Sequence, residues 1–177
     1  MNALLTSPAL WVVVVLLPTL LAPLLFVPSA RRAATVVAPF AGVPLRVLAV
    51  FGPADTSILL PWLLLEARLE TDTLTAVFLP FTVILWCLAG VSIRGYFPDS
   101  DEARRLHFFH LLAMTGNLGL LVSADLASFY WFFTWMSFSA YGLVVHQGGA
   151  EARRAARIYI SFTVFGELPL FAGCLLY

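Results

Sequence analysis

The sequence predicts an all-α fold, a polytopic bundle of about six transmembrane helices with one short surface strand or hairpin. Three observations predict it. The 177 residues are 61% hydrophobic and only 11% charged, far from the balance of soluble domains, and the mean hydropathy is +0.93. The apolar residues fall into separate runs, several of them near the 20 residues that cross a bilayer at about 1.5 Å per residue. Every basic residue is an arginine, and most of these sit between the runs. Formal net charge is zero, so charge points to neither nucleic acid nor an acidic partner.

The first run is Pro8–Val27, with Pro18 and Pro23 inside it. Neighbouring helices can re-satisfy the carbonyls that proline frees, so the sequence predicts a kink and not a break. No basic side chain precedes this run, and Arg31 and Arg32 follow it. That order suits a retained first helix with its N-terminus outside, not a cleavable leader. The second run, Ala33–Phe51, is punctuated by Pro39, Gly42 and Pro44, and Arg46 lies near its outer end, where it can snorkel. Leu65 to Glu70 then alternates apolar and charged residues, the period of a half-buried strand at the membrane surface.

The remaining runs are Thr73–Ile93, Leu106–Val122, Asp125–His146 and Ala155–Tyr177. Cys87 and Cys174 lie inside two of them, which argues against a disulfide and offers no ligand cluster, so no metal and no cofactor is expected in this chain. Connections on one side carry Arg31 and Arg32, then Arg94, Arg104 and Arg105, then Arg153, Arg154 and Arg157. The other side has Arg68 among Asp55, Glu66, Glu70 and Asp72. The positive-inside rule therefore makes the arginine-rich loops cytoplasmic, puts both termini outside, and predicts a multi-pass protein of the cell (inner) membrane. Residues 1–177 read as a single transmembrane domain. The apolar finish at Leu176 and Tyr177 suggests the N-terminal part of a longer chain.

Polar groups at membrane depth are costly and so are functional candidates. Glu167 lies about 17 Å into the sixth run, near the midplane, with Thr163 and Tyr159 four and eight residues before it on one face. It is either a proton carrier or a side chain hydrogen-bonded to a neighbouring helix. His110, one turn inside the fourth run, either passes protons from the cytoplasm or caps interfacial carbonyls. His107 and His146 read as boundary residues, and Asn117 suits an interhelical hydrogen bond. The fifth run carries a polar file, Tyr130, Thr134, Ser137 and Tyr141, at helical spacing. Asp125 suits the N-cap of that helix. Nothing in the chain has the pattern of a phosphate loop, a metal cluster or a nucleophile with its base.

Three stretches together resemble a known family. Asp125-Leu-x-x-Phe-Tyr130 followed by Met136-Ser-x-x-x-Tyr-x-Leu-Val144 is similar to the fifth helix of antiporter-like subunits. Such subunits occur in respiratory complex I, group 4 membrane-bound hydrogenases and Mrp cation/proton antiporters. Arg94-Gly-Tyr-Phe97 with Arg105-Leu-His-Phe-Phe109 resembles that family's third-to-fourth connection, and Arg157-Ile-Tyr159 through Gly166-Glu167 resembles its sixth helix. Asp72-Thr-Leu74 resembles its entry to the third. The similarity spans nearly all of this chain and less than half of a family member. It implies a proton- or cation-translocating subunit of a complex I-like assembly, catalytic only through partner modules such as an NADH–quinone oxidoreductase. Its partners would be other membrane subunits, protons or monovalent cations, and the lipid bilayer, with no nucleic acid.

One departure stands out. Where pumping relatives place a glutamate, in Phe/Trp-Glu-x-Met-Ser, this chain reads Phe133-Thr134-Trp135-Met136-Ser137. The family's lysine of the seventh helix and its second inverted repeat would lie beyond Tyr177. The resemblance therefore leaves two expectations. In one, Glu167 titrates, His110 gives cytoplasmic access, and Thr134, Ser137, Tyr141, Asn117 and Thr163 line the path. In the other, the chain is a non-conducting scaffold that docks a redox or inorganic-carbon-uptake partner. An unrelated small carrier built of six helices is a third.

Overall fold

The computed structural model describes residues 7–52, 57–60, 66–97 and 100–176, so Asp55, Leu65 and Tyr177 of the sequence reading lie outside the described residues. Among the described residues, seven α-helices and one two-stranded hairpin stand in the order α1 (Pro8–Leu21), α2 (Arg31–Val37), α3 (Val43–Phe51), β1 (Ser57–Leu60), β2 (Ala67–Glu70), α4 (Thr73–Tyr96), α5 (Asp101–Val122), α6 (Leu126–Val145) and α7 (Ala150–Leu176). Short 3-10 turns follow α1 at Ala22–Phe26 and α2 at Ala38–Phe40. Among the described residues, three helical stretches are long and apolar enough to cross a membrane: Pro8–Phe26, Thr73–Tyr96 and Ala150–Leu176. A fourth is added if the pair on either side of Gly42 is one bent span.

Two expectations change. The second run is not one helix: it breaks into Arg31–Phe40 and Val43–Phe51, inclined at 45°. Pro39 and Pro44 supply no amide hydrogens there, so the ladder cannot be carried through the break. The charged flanks, by contrast, are helical. The helices α5 and α7 begin at Asp101 and Ala150, several residues before the apolar runs, because arginine and alanine are good helix formers. Within α1, Pro18 is passed without a break. The Thr19 N–H beside it donates to Thr115 Oγ1 of α5 at 3.0 Å, and the Thr19 hydroxyl donates to the same oxygen at 2.9 Å.

The starts of α4, α5 and α6 are capped by side chains. Asp72 accepts from the Thr75 N–H at 2.7 Å, and the Thr75 N–H and hydroxyl together hold its carboxyl below the usual carboxylate range. Ser100 caps α5 through the Ala103 N–H. Asp125 caps α6 through the Ser128 N–H at 2.8 Å, and its second oxygen accepts the Arg68 N–H at 2.7 Å. That carboxylate therefore ties strand β2 to the start of α6, beside a further bond from the Ala124 N–H to the Arg68 carbonyl.

The hairpin is antiparallel, Ile58 facing Leu69 and Leu60 facing Ala67. Its alternation places those four residues in the core while Leu59 and Arg68 point out. Helix α5 is the axis of the bundle. It packs against α1, α4 and α6, and Leu111, Met114, Thr115 and Leu118 on it are fully buried. Close approach of α5 and α6 depends on glycine. A Cβ on Gly116 would lie 2.6 Å from the Met136 backbone nitrogen, and one on Gly119 or Gly142 would enter the ring of Phe132 or Phe109. The two helices that fall short of a spanning composition, α5 and α6, are thus the two that face each other most closely.

Candidate functional site

The polar file of α6 meets the polar file of α7. Positions 130, 134, 137 and 141 recur at helical spacing and share one side of α6. A tight connection, with Gly148 in the left-handed region at φ 73°, sends α7 back along that side. The Tyr130 ring packs on Phe171 at 5.2 Å between centroids, and the Tyr159 hydroxyl donates to the Ser137 carbonyl at 3.3 Å. Between these contacts, the Thr134 hydroxyl faces Glu167 Oε2 at 3.4 Å.

Glu167 is 6% exposed, although most of α7 around it is open. Ala156, Tyr159, Ile160, Thr163, Glu167 and Leu170 are its inward positions, while Phe162 and Phe165 face outward. Its Oε2 has one long contact and its Oε1 has no hydrogen-bond partner among the described residues. Buried polar atoms are rarely left this way, and each calls for an explanation. A shallow cavity of about 170 Å³ lies beside Thr134, between Trp131 and Trp135. The site offers a carboxyl that a water or proton could join, with a hydroxyl able to donate or accept at its side.

A second polar group forms on the other side of the bundle. Asn117 bridges two helices: its Oδ1 accepts from the Trp86 indole N–H at 2.9 Å, and its Nδ2 approaches Met136 Sδ at 3.4 Å. The Trp86 ring meets the His110 imidazole edge to face at 4.9 Å. His110 is 2% exposed, and its Nε2 has no partner among the described residues. Gly90 makes room for it, since a Cβ there would lie 3.1 Å from that nitrogen. His107 is also buried, at 3% exposure, with Nδ1 against the Ala103 carbonyl at 2.9 Å. A carbonyl only accepts, so Nδ1 carries the hydrogen and Nε2 is left unpartnered. The boundary position expected for His107 is thus covered by protein.

In sequence, His110, Asn117, Thr134, Ser137, Tyr141, Thr163 and Glu167 are all candidates for a single path. The structure divides them. Thr134, Ser137 and Glu167 come together on the α6–α7 seam, where Tyr159 also bonds, whereas His110 and Asn117 belong to the α4–α5 side. Among the described residues no hydrogen bond joins the two groups, and Tyr141 and Thr163 make none to protein. Trp86 was missed because tryptophan in an apolar run reads as bulk; its indole N–H needs a partner once buried, and that requirement was the available signal. Likewise, a threonine directly after Pro18 hinted at the bond that Thr115 provides.

No protein-family model matches the chain, and no curated protein matches it in sequence. Among the described residues no group of three His, Cys, Asp or Glu side chains is placed to hold a metal ion.

Proposed function

We propose that the chain is a proton- or cation-translocating subunit of a membrane assembly, similar to the antiporter-like subunits of complex I, hydrogenase and Mrp systems, and that Glu167 is its titrating group. In this reading the six helical segments each cross or enter the cell membrane, with the arginine-bearing connections cytoplasmic. The ion movement would be coupled to a partner module outside this chain.

One observation carries the proposal. The threonine that stands where pumping relatives carry a glutamate is the residue that touches Glu167. A carboxyl absent from α6 is supplied to the same place from α7. Ser137 and Tyr159 extend that polar seam along the two helices. Proton transfer through such a seam needs a group that gains and loses a proton, and the neighbouring hydroxyl can orient a water beside it.

The scaffold reading has its own support. His110 and Asn117 are separated from the Glu167 seam, so a continuous path between the two sides is not formed by protein groups alone. The experiment that separates the readings is Glu167→Gln in the intact assembly, with proton flux followed by a pH-sensitive dye in sealed vesicles. Loss of flux with assembly unchanged supports the relay. Unchanged flux defeats it, and loss of assembly supports the scaffold.

A further inference from the structure

The bundle gathers arginines from three separate parts of the chain around one cavity. Arg31 and Arg32 open α2, Arg94 lies in the last turn of α4, and Arg104 lies in the first turns of α5. All four line a cavity of about 340 Å³, together with His107. No acidic side chain is among its lining residues within the described part of the chain. Asp101 pairs with Arg104 from outside the lining, whereas Arg32 and Arg94 have no ion-pair partner among the described residues. Arg32 and Arg94 therefore bring positive charge to one space, and an anion held there would offset it. His107, also in the wall, is buried, and its Nε2 has no hydrogen-bond partner among the described residues.

We propose that this cavity is a binding site for a net-anionic phosphate group, whether the headgroup of an acidic lipid or free phosphate. Guanidinium groups present paired N–H donors that match phosphate oxygens, and several can converge on one phosphate as they cannot on one carboxylate. Leu25, Val36 and Phe97 make the rest of the wall apolar, which suits the glycerol and acyl start of a lipid. Basic pockets between helices on the arginine-rich side are where acidic headgroups are held. This site is independent of the Glu167 seam and stands or falls separately.

The test uses the full chain in mild detergent, with whatever subunits copurify, and reads retained lipid by native mass spectrometry. Phosphatidylglycerol is expected to be retained over phosphatidylcholine at equal concentration. Replacing both exposed arginines, R32Q/R94Q, is expected to cut that preference roughly tenfold. Where that pair accumulates poorly, Arg94→Gln alone reads the same preference. The control pair R153Q/R154Q removes equal charge from α7 and is expected to leave the preference intact. Displacement of phosphatidylglycerol by inorganic phosphate would assign the site to the phosphate group alone; retention against phosphate would assign it to the lipid. Equal retention of the two lipids by the unaltered chain, or an equal loss in the control pair, overturns the proposal.

Discussion

Helix α6 packs chiefly against α5 and α7 and treats the two differently. Toward α5 it presents Gly142 and the backbone at Met136, and the partner helix answers with Gly116 and Gly119, so the seam is closed by shape. Toward α7 it presents Tyr130, Thr134 and Ser137, and the seam is closed by a ring contact, a carbonyl bond and a carboxyl whose second oxygen has no partner among the described residues. The first seam has no room for a methyl group. The second holds a polar group short of hydrogen bonds. The comparison teaches that rigidity and chemistry can sit on opposite sides of one helix: a fixed α5–α6 pair gives α7 a firm surface on which to hold Glu167.

Gly116→Ala should break the first seam most severely. The new Cβ would meet the Met136 backbone nitrogen at 2.6 Å, and backbone cannot swing aside as a ring can. A cost of about 1–3 kcal/mol or more is expected, read as a lower thermal midpoint of the purified chain in detergent. An unchanged midpoint would show that the helices are free to separate there.

Asp125→Ala acts on what both seams share. It removes the N-cap of α6 and the acceptor for the Arg68 N–H, for an expected loss of about 1 kcal/mol. Hydrogen exchange should rise together at the start of α6 and in β2. A rise confined to one of them would mean that the two contacts of this carboxylate are energetically separate.

The smallest stability effect should come from Thr134→Val, which keeps the shape and removes the hydroxyl facing Glu167. The contact is long, and interhelical bonds of this kind contribute on the order of 0.5 kcal/mol, so the fold should be nearly unaffected. Its flux in vesicles, however, should fall toward that of Glu167→Gln. Full flux in Thr134→Val would place the working partner of Glu167 elsewhere.

The linear pattern carried much of the fold. Apolar runs marked most helical segments and alternation up to Glu70 marked strand β2 of the hairpin, whereas strand β1 and the division of the proline-punctuated second run were not anticipated. The stripes Tyr130-Thr134-Ser137 and Tyr159-Thr163-Glu167 were legible because helical periodicity is a property of neighbouring residues in one chain segment. What those stripes would face was not legible. A stripe on a helix is compatible with several partners, and His110 looked as good a companion for Glu167 as Thr134 did.

By itself, then, the sequence determined a mostly helical chain with uncommon apolar content and where its polar groups lie along each helix. Only the tertiary structure decided that Thr134 and Glu167 touch, that His110 belongs to Trp86 and Asn117 on another side, and that four arginines from distant positions line one cavity. The physical reason is range. Helix formation and hydropathy are set over a few turns, but which faces meet depends on how closely helices can approach, and here that was decided by glycines at 116, 119 and 142 acting across the bundle.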